Sequence, residues 1–334
     1  MISASEAGAT PARDPSVAVI VINYNGGDML LRCLHDLSRQ TWTAFKVIVV
    51  DNASSDDSMQ RAEQEYPNIH ALRLQDNVGF AMGNNIGADL ARECGWIACL
   101  NPDAYAHPEW LSSLMRAAQA HPEFAMFGSK LILAPRPDRL DGTGDIYHVC
   151  GAAWRRDHGR KLAVGHHAEE EIFAPCAAAA LYRRDAFDDA GGFDNDFFCF
   201  FEDVDLAFRM RLLGYRCFYV PGAIVHHVSS AITGFESEFS VYHGHRNLVW
   251  TFFKNMPRPL FVAFLPLHII LNIVSIVLYT FKGKPLTILR SKRDAIRGLR
   301  SAWRKRALIQ SRRRVSSREL LRLMQKDFFS LWNR

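Results

Sequence analysis

The feature that most restricts the fold is an alternation that begins near the N-terminus. Short apolar runs at residues 17–23, 46–50, 69–74 and 96–100 are separated by segments suited to helices. Apolar runs of this length, closed by turn residues, read as strands buried on both faces. Residues 29–37 have helical spacing, residues 79–93 are rich in small side chains, and residues 108–120 begin with a proline that a first helical turn tolerates. Ser55 or Asp56 is placed to cap the helix after the second strand. The expected fold is therefore α/β, with a Rossmann-like, mostly parallel sheet flanked by helices.

Ligands of such sheets bind at the carboxyl ends of the strands. Polar clusters at residues 23–27, 51–57, 76–85 and 101–103 all fall there, which points to a nucleotide-type site. A nicotinamide-dependent dehydrogenase would need G-x-G-x-x-G after the first strand. Asn23-Tyr24-Asn25-Gly26-Gly27-Asp28 does not supply it.

From about residue 124 the alternation fades, and residues 135–145 and 154–171 read as loops rich in Gly, Pro, Arg and His. Order resumes over residues 174–190, with a helix expected over 203–213 and a strand over 215–220. The run GGFDNDFFCFFEDVDLAFRMRLLG, residues 191–214, places Asp194, Asp196, Glu202, Asp203 and Asp205 among phenylalanines just ahead of that helix. Carboxylates in apolar surroundings are costly unless paired, metal-bound or engaged in chemistry. Asp203 and Asp205 also suit a first helical turn, where negative charge meets the helix dipole. Arg155, Arg156, His158 and Arg160 form either a phosphate-contacting set or a solvated basic loop. Arg246 and Asn247 read as a lid or as the connection to the apolar segment that follows.

That segment, residues 260–281, carries no charge and is long enough to span a bilayer. His268, Asn272, Ser275 and Tyr279 line one face of it at helical spacing. A single crossing would also export the most basic part of the chain, against the positive-inside rule. The whole chain has a formal net charge of +5, yet residues 282–334 hold 17 Lys and Arg against Asp294, Glu319 and Asp327. An interfacial helix or a re-entrant hairpin, with a basic amphipathic tail on the cytoplasmic membrane surface, fits this pattern; a packed core helix is the alternative. Ile296, Leu299 and Trp303 among Arg297, Arg300, Arg304, Lys305 and Arg306 give the tail its amphipathic face. Few aromatics are placed for base stacking, so no specific nucleic acid is expected. Seven scattered cysteines without a C-x-x-C suit reduced thiols in a cytosolic setting. Residues 1–16 lack the apolar core of a secretory signal, and 1–15 are expected to be a disordered leader.

The series VINYNGG (21–27), VDNASSDDS (50–58), NVGFAMGNNIG (77–87), LNPDA (100–104), the acidic run and VPGAIVHH (220–227) resembles family 2 glycosyltransferases of the GT-A fold, in particular bacterial rhamnosyltransferases of surface-polysaccharide synthesis. The resemblance covers residues 16–255, leaving 256–334 as an apolar helical segment and basic tail that form a membrane-associated extension. It implies an inverting transfer of a sugar, L-rhamnose from dTDP-L-rhamnose, to a lipid-linked or polysaccharide acceptor. A UDP-sugar donor on the same fold is the alternative, and a non-catalytic membrane or nucleic-acid scaffold is the competitor from another class. The resemblance implies that Asp51 meets the base of the nucleotide. It likewise implies that Asn23, Asn25, Asn52, Gly79, Asn84, Asn85, Asn101 and Asp103 lie against the nucleotide sugar. Asn101-Pro102-Asp103 stands where the family has its DxD metal motif, so Asp103 would ligate Mg²⁺ or Mn²⁺, with His227, rather than His226, completing the site. Asp203 would be the general base, and Glu202 beside it would raise its proton affinity or orient the acceptor. Asp194 and Asp196 are expected on the acceptor side.

Overall fold

The computed structural model describes residues 16–229, 234 and 236–327, so the leader expected over residues 1–15 lies outside the described residues. The chain runs through β1 (Val17–Asn23), α1 (Gly27–Ser38), β2 (Phe45–Asp51), α2 (Ser58–Glu65), β3 (His70–Arg73), α3 (Gly79–Asp89) and β4 (Trp96–Leu100). All of β1 is buried, as a strand with helices on both faces must be. β3, β2, β1 and β4 lie side by side and pair parallel.

There follow β5 (Ala104–Ala106), α4 (Trp110–Ala120), β6 (Phe124–Leu133), β7 (Leu140–Gly142), β8 (Asp145–Tyr147), β9 (Ala153–Arg155) and β10 (Glu170–Glu171). β11 (Ala179–Arg183), α5 (Arg184–Ala190), α6 (Glu202–Leu212) and β12 (Arg216–His227) complete the α/β body. β11 is inserted antiparallel between β4 and β6, and β12 runs parallel to β6. The long strands β1, β2, β4, β6 and β12 therefore share one direction, and the expected mostly parallel α/β sheet is what forms.

The period-two alternation of β1 divides the core. Ala18, Ile20 and Ile22 face a layer with Ala88 of α3, Ala186 of α5 and Leu206 of α6. Val17, Val19 and Val21 face Leu34 of α1 and Leu114 of α4. The small residues of α3 have a packing cause, since a Cβ at Gly87 would stand 2.6 Å from the Ile20 side chain.

Several boundaries differ from the sequence reading. α3 stops at Asp89, and the strand expected over 215–220 continues to His227. Where the alternation was expected to fade, from about residue 124, stands β6, ten residues that are buried throughout. Gly128, Ser129 and Lys130 break its apolar pattern, but Ser129 is buried because its Oγ accepts from Trp110 Nε1 at 2.9 Å.

Among the described residues four helices follow: α7 (Glu238–Asn255), α8 (Arg258–Phe281), α9 (Pro285–Ser311) and α10 (Ser317–Leu323). α8 runs unbroken through Pro266, which corrects the re-entrant hairpin: packing on one side outweighs the backbone bond that proline removes. The polar stripe faces the protein. His268 Nδ1 lies 2.8 Å from the Cys150 carbonyl and its ring stacks on Phe252 at 4.0 Å. Lys292 of α9 donates to Asn272 Oδ1 at 2.6 Å, and Ser275 is buried. The apolar side, with Ile269, Ile270, Ile273 and Val277, faces outward.

Candidate active site

The register of the parallel strands assembles the first wall. Asn23 and Asp51 end β1 and β2 directly opposite each other. Asn23 Nδ2 donates to Asp51 Oδ1 at 2.8 Å and to Ser58 Oγ at 2.9 Å. Asn25 folds the next turn, its Oδ1 accepting from Ser55 N–H at 2.8 Å. The expected cap of α2 is Asp56 in function only: it accepts from Ser58 N–H at 3.2 Å while Asp57 holds the cap position. Asn52 ties in the loop before α3, accepting from Val78 N–H and donating to Asn77 Oδ1, both at 2.8 Å. Asn85 donates to the Phe193 carbonyl and Asn195 Oδ1 at 2.8 Å and accepts from Phe193 N–H at 2.9 Å. Asn52 and Asn85 thus have their amides committed to the protein, as does the amide oxygen of Asn25, and the three build the walls. Asn23, Asn84 and Asn101 differ: each keeps a buried Oδ1 without a protein partner. Buried acceptors of this kind are open to a ligand or an ordered water.

Antiparallel pairing of β5 with β12 sets His227 opposite Ala104, the neighbour of Asp103. His227 Nε2 consequently lies 3.2 Å from Asp103 Oδ1, while Nδ1 lies 2.7 Å from Asp141 Oδ2. Burial opposes the imidazolium, yet the bonds to Asp103 and Asp141 raise its proton affinity. His226 points elsewhere; burial, then Arg32 and His107, lower its proton affinity. Asp141 also pairs with Arg155 and lies 3.3 Å from His158. Burial pushes the Asp141 carboxyl up, but Arg155, His158 and His227 outweigh it and hold the group well below the usual carboxylate range.

This donor set fits a divalent cation. Asp103 Oδ1 and His227 Nε2 converge, the Asn101 amide stands beside them with Nδ2 3.5 Å from His227 Nε2, and Asp141 fixes the imidazole from behind, as carboxylates do for metal-binding histidines. A second group, Asp145, Cys176 and Asp203, has ligand atoms within 4.8 Å of one another. Burial holds the Cys176 thiol well above its usual range, so this set offers a neutral sulfur where hard cations prefer oxygen.

Asp203 stands in the first turn of α6. Its Oδ2 accepts from Ala177 N–H at 3.1 Å and its Oδ1 from Val204 N–H at 2.8 Å. Burial raises its proton affinity against the pull of those amides and of Arg155. Asp145, which β8 and β9 place opposite Arg155, is pushed up to about 8 by burial and then by Asp203. Glu202 is buried with Oε2 unpartnered, and burial followed by the Asp203 charge raises it well above its usual range. Asp145 therefore shares the Asp203 site in addition to Glu202, the neighbour on which the sequence reading relied.

The remaining acids have structural partners. Asp205 accepts from Arg209 Nε at 2.8 Å and Asn255 Nδ2 at 2.7 Å, and lies 2.8 Å from Lys254 Nζ. Asp194 pairs with Lys254 and Lys305, and Asp196 with Lys305 at 2.6 Å, so these two acids bind the C-terminal helices. Arg246 and Asn247 lie on α7 and donate to carbonyls of residues 196–200. Arg155 is part of the ion network around buried Asp141, whereas exposed Arg160 pairs with the buried Asp157 at 3.2 Å. Sequence reasoning missed Asp141, Asp145 and Cys176. The one signal was the pair of acids in Leu140-Asp141-Gly142-Thr143-Gly144-Asp145, spaced by glycines between short strands.

Residues 18–191 match the family model described as glycosyl transferase family 2, just over half of the chain. The chain belongs to glycosyl transferase family 2. It is 29% identical over 236 residues to an N-acetylglucosaminyl-diphospho-decaprenol L-rhamnosyltransferase of Mycobacterium tuberculosis, covering 65% of this chain and 77% of that relative. The mannosyltransferase PcManGT from Pyrobaculum calidifontis, in complex with GDP-Man and Mn²⁺, shares the fold at TM-score 0.51 and 17% identity, over 91% of this chain and 88% of that one. GalNAc-T7 with UDP, GalNAc and Mn²⁺ superposes at TM-score 0.58 and 14% identity over 72% of this glycosyltransferase, which spans 48% of that chain. The GT-A type fold expected from the sequence is thereby shown, with a helical C-terminal extension on this chain.

Proposed function

We propose that this glycosyltransferase is inverting and metal-dependent, and that it transfers L-rhamnose from dTDP-L-rhamnose to a lipid-linked or polysaccharide acceptor of the cell surface. The observation that carries the mechanism is the placement of Asp203: a half-buried carboxylate of raised proton affinity beside strand ends whose amide oxygens lack protein partners. Asp203 takes the proton of the acceptor hydroxyl as its oxygen attacks the anomeric carbon, and the bond to the diphosphate breaks on the opposite face. The configuration inverts because the displacement is in line. Glu202 orients the acceptor. Asn23, Asp51, Asn84 and Asn101 bind the donor within walls built by Asn25, Asn52, Gly79 and Asn85. Asp103 and His227 would hold Mg²⁺ or Mn²⁺, which neutralises charge on the departing diphosphate.

The rhamnose assignment is supported by the name of the mycobacterial relative, and the acceptor by the same name. The outward apolar face of α8 and exposed Arg297, Arg300 and Arg304 on α9 support work at the cytoplasmic membrane surface, where such an acceptor resides. Asp203→Asn tests the mechanism. Loss of kcat by about 10²–10⁴-fold, with nucleotide binding retained, is expected for removal of a general base. Turnover near the wild-type rate would overturn it. A thermal-shift series with dTDP-, UDP- and GDP-sugars, each with and without Mn²⁺, tests the donor: stabilisation by a UDP- or GDP-sugar alone would replace the rhamnose reading.

A further inference from the structure

The short segment that delivers Glu202 and Asp203 is strained. Phe198, Phe200 and Phe201 all have positive φ, at 65°, 66° and 66°, a region that side chains larger than glycine rarely occupy. Phe198 centres a γ-turn, with Cys199 N–H donating to the Phe197 carbonyl at 2.7 Å, the hand of that turn that is seldom stable alone. Phe201 is the residue before α6, so its conformation aims the first helical turn and Asp203 with it. Backbone of this kind persists only where its surroundings over-determine it.

The restraint comes from α7. Asn247, fully buried, places Nδ2 at 2.9, 2.9 and 2.7 Å from the carbonyl oxygens of Phe197, Cys199 and Phe200. Its two hydrogens must be shared among three acceptors, which fixes the turn from several directions at once. Arg246 locks that amide by donating to Asn247 Oδ1 at 2.9 Å, and donates to the Phe197 carbonyl at 2.9 Å and that of Asp196 at 3.2 Å. The far side of the turn touches the donor wall: Ala81 N–H donates to the Phe198 carbonyl at 3.1 Å, and a Cβ at Gly79 would meet the Phe198 ring at 2.6 Å. One strained turn thus joins the nucleotide-facing end of α3 to the base on α6, and two residues outside the α/β body hold it.

We propose that Asn247, locked by Arg246, is a positioning residue for catalysis: it holds residues 197–201 in the conformation that aims Asp203 at the acceptor hydroxyl. The inference rests on Asp203 as the base. Positioning losses of this type fall on kcat rather than on donor binding, because Asp103, in the turn before β5, and His227, at the end of β12, stand on other elements.

The test uses the full chain, Asn247→Ala and Arg246→Ala, with hydrogen–deuterium exchange and turnover read side by side. In Asn247→Ala, amides of residues 197–204 should exchange at least about tenfold faster while those of β1, β2 and β4 keep their protection. Turnover of dTDP-L-rhamnose with N-acetylglucosaminyl-diphospho-decaprenol should fall by about tenfold or more, at unchanged donor KM. Arg246→Ala should move both readouts the same way by less, and it decides the matter should Asn247→Ala not fold. Unaltered exchange at 197–204, or turnover that declines only with the folded fraction, would overturn the proposal. Asp203→Asn, run in parallel, separates the two ideas. If it abolishes turnover while the α7 variants do not, positioning fails and the base stands. If it leaves turnover intact, the base assignment fails whatever exchange reports, so the exchange result alone then judges whether α7 restrains the turn.

Discussion

Two carboxylates, the buried Asp145 and the half-buried Asp203, share one site beside Cys176, and they cannot both ionise cheaply. That sharing makes the chemistry and the stability depend on pH in opposite ways. Under the proposed mechanism Asp203 is the base and works only when deprotonated, so kcat/KM should rise with pH through its elevated pKa. Replacing Asp145 with Asn removes a neighbouring negative charge and should shift that acid limb to lower pH, as a pH–rate profile would show; an unmoved limb would refute the coupling. Stability runs the other way. The folded-state value of about 8 for Asp145 exceeds the unfolded value, so its contribution is complete below the unfolded pKa and is lost as pH climbs towards 8. Asp145→Asn should therefore raise Tm by a few degrees at pH 8 and by less at pH 5. Asp141 acts differently, because it is held ionised behind His227. Asp141→Asn is expected to weaken Mn²⁺ affinity by about 10–100-fold, measured by titration calorimetry, without moving Asp203's limb.

Among the elements, what could be read from sequence depended on how far apart the interacting parts lie. β1, β2 and β4 were legible because burial on both faces writes a continuous apolar run, and their polar ends marked the site. β7, β8 and β9 are three residues each, too short for any period, so Asp141 and Asp145 looked like loop acids. His227 could be tied to Asp103 only through the resemblance, although the β5–β12 register places them together. Asp194 and Asp196 were expected on the acceptor side because no local pattern reveals a partner on α9, more than 100 residues away. Gly79 gave a partial signal: its closeness to a ligand was expected, but the neighbour that forbids a side chain is Phe198. With φ at 83° and a Cβ only 2.6 Å from that ring, Gly79→Ala should cost about 1–3 kcal/mol in urea denaturation. It should also weaken nucleotide binding, since relief requires the start of α3 to move. A fully stable variant with wild-type affinity would show that the contact is slack.

At the scale of the whole molecule, α8 is inside out. Its hydrogen-bonding residues His268 and Ser275 are buried against the protein, while Ile270 and Ile273 are each 55% exposed and Phe281 is 87% exposed. In water this arrangement leaves a contiguous apolar stripe unpaired, at roughly 25 cal/mol per Å² of surface that burial would otherwise gain. A bilayer surface removes that cost without demanding that the helix cross it, and the polar stripe explains why crossing is disfavoured: it already has protein partners. Exposed arginines on α9 add attraction to anionic head groups, about 1 kcal/mol each near the surface. The two terms separate experimentally. Flotation with phosphatidylglycerol vesicles should recover the wild-type chain at low salt, and about 0.5 M salt should reduce recovery by screening the arginine part alone. Ile270→Glu with Ile273→Glu should abolish recovery at any salt, leaving Tm near wild type because both side chains already face outward. Equal recovery of this double variant would mean that α8 does not touch lipid and that the basic tail alone docks. No recovery of the wild type at low salt would mean that the stripe serves a protein partner instead. The proposed lipid-linked acceptor gives the outcome its functional weight. Lys305 ties α9 to Asp194 and Asp196, a few residues before Asp203 in the chain, so a helix pair resting on the membrane would hold the base at a fixed distance from lipid-linked substrate.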